Sequence, residues 1–526
     1  MSHKFSFALG AACIAAVLLA GCGGGGGGGG GGGFPILPPP GSSVTLTGTA
    51  TYDSVPNTNG PLVYAATTAK PVRGAMLEVL DATSSAQLAV STTDDSGAYS
   101  VSVPANTSIV VRVRAQLTRT GAGPTWDVSV RDNTQSSALY SMQSSAFSSG
   151  AAALTRDLRA GSGWGGSSYT SQRVAAPFAV LDTVYTAMQK VLSVAPATAF
   201  PVLRVFWSPN NVPAGGTVAA GQIGSTFFIN RSTGREIYVL GKENVDTDEY
   251  DSPVIAHEWG HYYQSAFSRD DSPGGSHSLD ERIDRRLAFS EGWGNGWSGI
   301  ALGRNNYVDS VGPQQSRGGN VNLSAGPTTN PGWYREGSIQ TIFWNLNQQV
   351  GFKPIHDAMT GILFRSGAPV SSIHPFTAAF NTTAPGSASA LAGLLSGQNI
   401  STTANDPYGD TETNSGGLPT VPNVVQPMYR PAAVGATTQA CVSNVEGDDN
   451  KLGSFAYLRF NAPANRDYQF TVNGGPAGAN PDFDIFRGGL VPRSSNKVSL
   501  GAGDYVLAVS DLNNSGSPTC FNVTIQ

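Results

Sequence analysis

"SPVIAHEWGHYYQ", residues 252–264, sets two histidines four positions apart with a glutamate directly after the first. Ser252 and Pro253 read as the start of an α-helix. Ser252 is the expected N-cap and Pro253 the first helical residue, where a missing N–H costs nothing. On that helix positions i and i+4 share one face, so His257 and His261 aim two imidazole nitrogens at one point. Glu258 lies about 100° round the helix, beside that point rather than on it. Two imidazoles so spaced suit a tetrahedral Zn2+, with Glu258 placed to take a proton from water. A catalytic zinc needs a third protein ligand and one open position. "FSEGWGNGW", 289–297, offers Glu291. Its distance along the chain leaves room for one helix, a loop and an antiparallel return. Together with the histidine pair it makes a His2Glu set.

H-E-x-x-H followed by E-G-W-G resembles the gluzincin metalloproteases, and the E-G-W form is nearest to the fungalysin type. The resemblance spans roughly residues 175–400, with its specific motifs confined to 257–297. It implies a peptidase holding Zn2+ on His257, His261 and Glu291, with Glu258 as general base. One position departs from the family. Asn295 stands where those enzymes usually carry an aspartate that accepts a hydrogen bond from a zinc-bound histidine. An amide oxygen still orients the ring but lacks the charge that raises ligand basicity, so weaker zinc binding is expected. Such families also place a Tyr or His downstream to steady the oxyanion, and Tyr334 in "PGWYREGS" is the candidate here. His356 and His374 are weaker alternatives, read as surface or capping residues, and His277 in "GGSHSLDE" reads as a loop histidine.

The flanking residues fit this reading. Gly260, Gly292, Gly294 and Gly296 are costly in helices, and close packing of the two ligand helices would explain them. A strand in "STFFIN" or "EIYVLG" would line the cleft and pair with extended substrate. The acidic run "DTDEYD", 246–251, is read as charge favouring the positive end of the helix dipole. Calcium is the second reading of that run, although it lacks EF-hand spacing. Glu281 and Arg285 read as an i,i+4 pair on a solvated helix.

The N-terminus supplies a compartment. Lys4 precedes "FSFALGAACIAAVLLA", too short for a spanning helix and flanked as a signal peptide would be. The run ends in "LLAGC", 18–22, which resembles the lipobox of bacterial lipoproteins. That resemblance implies cleavage before Cys22, a lipid on Cys22 and, with Gly23 following, sorting to the outer membrane or cell surface. The alternative is an ordinary secretory signal with a chance cysteine. Gly23 to Gly33 then form an unbroken run with no side chain to bury, a coil reaching about 18 Å. Cys13 leaves with the signal, so Cys441 and Cys520 remain as an expected disulfide pair, the alternative being two free thiols. Only 13% of residues are charged and 65 are Gly, which suits an extracytoplasmic β-rich protein. A net charge of -5 leaves no basic footprint for nucleic acid, and no P-loop or dinucleotide-binding glycine pattern is placed between a strand and a helix.

Period-2 alternation marks strands in 43–118, where the turn T-D-x-S-G-x-Y resembles the regulatory-like β-sandwich of carboxypeptidases. Residues 119–170, rich in Ser and Gly, read as a linker or irregular layer, and 401–433 as a second linker. A helical stripe of Phe178, Leu181, Val184, Met188 and Leu192 opens the catalytic region, 171–400. Strands return over 434–526 in a pattern resembling pre-peptidase C-terminal domains. With a signal peptide over 1–21 and a tether over 22–42, the expected fold is multidomain α+β. A zincin-like catalytic domain is flanked by two β-sandwich domains. The expected function is a membrane-anchored, extracytoplasmic zinc metallopeptidase acting on protein or peptide substrates in the bacterial cell envelope. Two alternatives stand beside it: a metallohydrolase of non-peptide amides, esters or cell wall, and a surface binding lipoprotein whose zinc is structural.

Overall fold

The computed structural model describes residues 41–402, 405–418, 424–513 and 518–526; the expected signal segment and the expected lipid site at Cys22 lie outside them. The described chain mixes many β-sheets with eight α-helices. Strand Ser43–Ser54 turns Val44, Leu46, Ala50 and Tyr52 inward and its alternate residues outward, as one buried face requires. It anchors a five-stranded sheet by pairing with Ala98–Pro104, Thr68–Pro71, Leu154–Thr155 and Leu158–Ala160.

A ten-stranded sheet lies beside it. Its main path runs Phe227–Arg231, Gly234–Val239, Leu203–Trp207, Trp126–Asp132, Ser108–Arg119, Ala75–Asp81 and Gln87–Thr92. This corrects the expected domain boundary. Residues 119–170 are not a linker, because Trp126–Asp132 pairs with Ser108–Arg119 on one side and parallel with Leu203–Trp207 on the other. The strands of the expected front domain and those of the catalytic region therefore share one hydrogen-bonded sheet. Other strands in 119–170 are two or three residues long, below the length at which alternation can be read.

Helix α1 (Ala176–Leu192) buries Phe178, Leu181, Val184 and Met188. Helix α2 is Ser252–Phe267 and starts one residue earlier than expected: Asp251 occupies the N-cap and Ser252 is already helical. Helix α3 (Arg285–Leu302) is buried along nearly its whole length and packs between α2 and α4 (Glu336–Val350). No helix of the described residues is long and apolar enough to cross a membrane.

Two four-stranded sheets close the chain, one built on Phe455–Ala462 and Gly503–Asp511, the other on Arg466–Gly474 and Thr519–Ile525. Their facing side chains, among them Leu458, Phe460, Phe470, Leu507 and Phe521, form a separate core. Cys441 and Cys520 stand opposite each other in register and are disulfide-bonded. This sandwich grips the start of α3. Asp284, the N-cap, accepts hydrogen bonds from the Arg286 amide at 3.0 Å and the Tyr457 hydroxyl at 2.7 Å. Arg285 is not on a solvated face: its guanidinium lies over the rings of Trp333, Tyr429 and Tyr457, while Glu281 pairs with Lys451. Nor are the described parts of 401–433 a free linker, since Leu418, Val424, Val425, Met428 and Tyr429 are buried.

Candidate metal centre

Helices α2 and α3 bring three expected ligands together. His257 Nε2 lies 3.0 Å from His261 Nε2 and 3.1 Å from a Glu291 carboxylate oxygen, which is 3.5 Å from His261 Nε2. Donors around a tetrahedral ion bound at about 2.1 Å stand about 3.4 Å apart. The three edges match that figure, so the triad could hold one small metal ion. The approach depends on glycine. A methyl group at Gly294 would sit 2.7 Å from the His257 ring, and one at Gly260 would meet Trp297 at 3.1 Å. Gly292 and Gly296 instead face α4, against Ile339 and Phe343, so only half of the expected glycine set serves the two ligand helices.

Each histidine is held from behind. Asn295 Oδ1 lies 2.9 Å from His257 Nδ1, and Ser290 Oγ lies 3.2 Å from His261 Nδ1. With Nδ1 turned to these oxygens, Nε2 is the nitrogen of each ring that faces the triad centre. Ser290 reaches Asp270 in turn, at 3.0 Å. Burial works to lower His261, but the neighbouring Glu291 carboxylate outweighs it and lifts the imidazole to about 10. Burial works to raise Glu291, but His261 and His257 hold it well below the carboxylate range. The site attracts positive charge strongly.

Glu258 adjoins the triad. Burial pushes it above the ordinary carboxylate range, and it accepts a hydrogen bond from the Phe228 amide at 2.8 Å. Phe228 belongs to Phe227–Arg231, the edge strand of the ten-stranded sheet. A cleft of about 910 Å3 opens over these groups, lined by that strand's start, the triad and the loop 272–279.

Two cleft residues were missed from the sequence. His277, expected to be a plain loop residue, has Nε2 3.3 Å from Glu291 and Nδ1 2.7 Å from Glu336, the first residue of α4. Burial works to lower it, yet the bond to Glu336 and the charges of both carboxylates raise it to about 9. Tyr307 also lines the cleft, its ring centre 6.0 Å from that of His257. Only a lone His in a Gly/Ser loop was visible in advance.

Tyr334 is a correction. Its side chain is buried outside the cleft, and its hydroxyl donates to Asn414 at 3.0 Å. The aromatic ring belongs to the core at the entrance of α4. His356 and His374 are likewise buried rather than on the surface, near Tyr263 (2.9 Å) and Glu412 (3.3 Å).

No family model matches the chain. No curated protein matches it either. Among solved structures, the pre-peptidase C-terminal domain of collagenase from Bacillus anthracis is 10% identical over 19% of this chain and 94% of its own, with a TM-score of 0.15. PliG from Salmonella Typhimurium, a periplasmic inhibitor of g-type lysozyme, is 14% identical over 18% of this chain and 99% of its own, at 0.13. A 9R-lipoxygenase from Cyanothece PCC8801 is 12% identical over 29% of this chain and 24% of its own, also at 0.13. These are weak likenesses of parts of the chain.

Proposed function

We propose that this chain is a zinc-dependent peptidase with a zincin-like catalytic domain, held outside the cytoplasm by a lipid on Cys22. The observation that carries the reading is the triad of His257, His261 and Glu291 at tetrahedral spacing with the Glu258 carboxylate beside it. His257, His261 and Glu291 would hold the ion, two nitrogens and one oxygen being a set that zinc accepts. When bound, zinc supplies Lewis acidity to water and to the scissile carbonyl.

The chain's own groups do the rest. Glu258 takes the proton of the attacking water and passes it to the leaving amine. The Phe228 amide holds that carboxylate in place while it is charged. Edge strand Phe227–Arg231 offers backbone groups to an extended peptide, which binds as a further strand along the cleft. His277, braced by Glu336, presents an N–H for the developing oxyanion and replaces Tyr334 in that role.

The test uses the full-length chain in mild detergent, zinc-loaded, against a denatured protein mixture, beside Glu258→Gln. Release of new peptide termini by the wild type alone is the expected result, and the termini read by mass spectrometry give its specificity. Silence from both proteins, each with a full complement of zinc, would overturn the peptidase reading in favour of a structural metal or a non-peptide substrate.

A further inference from the structure

We propose that Asp246, Asp248 and Asp309 form a second metal site, built of oxygen alone and suited to calcium, which fixes the wall of the cleft. The site arises from strand register. Asp246 lies opposite Val311 in an antiparallel pair of a four-stranded sheet. Asp248 follows Thr247, the last residue of the Asp246 strand, and Asp309 lies two residues before Val311 on the facing strand. The end of one strand and the facing strand thus bring the three carboxylates together. One oxygen from each lies within 4.8 Å of the others. Oxygens on one calcium ion bound at about 2.4 Å stand no more than about 4.8 Å apart, so the spacing admits a shared ion.

The second observation is unmet bonding. Asp248 is only 2% exposed, and although its other oxygen accepts from the Thr226 hydroxyl, its Oδ1 has no hydrogen-bond partner. Oδ1 of Asp246 and of Asp309 are also buried without a partner, as is the hydroxyl of Thr247. Buried acceptors without donors are expensive, and the neighbouring carboxylates act to raise Asp246 and Asp248, as like charges held close do. Among the described residues, burial and neighbouring carboxylates lead the effects that raise Asp246 and Asp248, and burial leads for Asp309. A hard divalent cation answers both needs, and an all-carboxylate set favours calcium where the nearby His2Glu triad favours zinc.

Position gives the site a task. Asp309 lines the same cleft as the triad, which provides access for the ion and for water to complete its coordination. Asp248 is tied through Thr226 to the lead-in of the cleft's edge strand, and Thr226 also accepts from the Leu240 amide. Tyr307, beside His257, is on the same strand as Asp309. Helix α2 begins at Ser252, just beyond Asp248. A calcium ion therefore couples the edge strand, the Tyr307 strand and the start of the histidine helix.

The inference is independent of peptidase activity, and its test does not read activity. The full-length chain, zinc-saturated and passed over a calcium-chelating resin, is titrated with Ca2+ by calorimetry and melted at each concentration. Uptake of one Ca2+ per chain with Kd below about 1 mM is expected, with Tm rising with calcium and zinc content unchanged. Asp248→Asn weakens uptake at least about tenfold, and Asp309→Asn, nearer the cleft, does the same should the buried variant fold poorly. No uptake by the wild type would overturn the site. So would wild-type affinity in a folded variant, or stabilisation by acid alone, the signature of carboxyls that share protons instead of a cation.

Discussion

Asn295 is the residue at which this centre departs from its expected pattern, and its amide oxygen does reach His257 Nδ1, at 2.9 Å. An acceptor there fixes the tautomer, while a charged acceptor would also strengthen the nitrogen as a donor to metal. Asn295→Ala is expected to lower metal affinity about ten- to hundredfold, and Asn295→Asp to raise it, as measured by competition with a chromophoric chelator. His277 separates binding from turnover. If its N–H meets the oxyanion, His277→Asn lowers kcat by about 10²-fold while metal content per chain stays the same. His356 bears on stability. Burial depresses its pKa, and the Tyr263 hydroxyl lies 2.9 Å from its Nδ1. A depressed pKa means that the unfolded chain binds the proton more readily. The contribution is then present above about 6.5 and is lost as pH falls through the folded value. Urea unfolding between pH 8 and pH 5 should show this loss, with a shallower dependence in His356→Gln. The histidine pair was legible because one helix's periodicity carries it, and Glu291 through the E-G-W-G motif on the next. His277 and Tyr307 were not, because they reach the site by the path of a loop and a strand that no local pattern encodes.

At the scale of the element, α3 reconciles two neighbours. Gly292 and Gly296, one turn apart, let α4 approach, and Gly294 between them turns toward His257. The two faces predict different failures. Gly292→Ala places a methyl 2.4 Å from Ile339 Cβ, an overpacking cost of about 1–3 kcal/mol readable by denaturant unfolding. Gly294→Ala instead displaces the imidazole and is expected to weaken metal binding more than stability. Glycine composition announced close packing, but it could not say which helix lay on which side. The acidic run before α2 shows the same limit. Only Asp251 stands at the helix start, as N-cap, where its carboxylate accepts from Ser310. Asp246 belongs to sheet register with a strand about sixty residues away, a pairing that sequence spacing cannot reveal.

For the whole molecule, the C-terminal sandwich was read correctly as a β element and its cysteine pair is bonded. Closing 79 residues restricts the unfolded chain by about 4 kcal/mol, so Cys441→Ser with Cys520→Ser should lower the unfolding free energy by a similar amount. Arg285 and Asp284 pass the sandwich's hold directly to α3, so loss of the bridge is expected to lower the midpoint of metal release as well. The domain boundaries were the least legible part, because a sheet that continues across an expected linker depends on pairing between distant segments. Strand Ser43–Ser54 gives that continuity a mechanical meaning. Its first seven residues pair in antiparallel register with Ala98–Pro104; Leu46 and Thr47 among them also pair in parallel with Leu154–Thr155, and Ala50 to Tyr52 with Leu158–Ala160. Hydrogen bonds between antiparallel strands lie across the strand direction. A pull applied before Ser43 along that direction loads the bonds in shear, many at once, rather than peeling them one by one. A tether joined before Ser43 would therefore load a strand whose hydrogen bonds resist together.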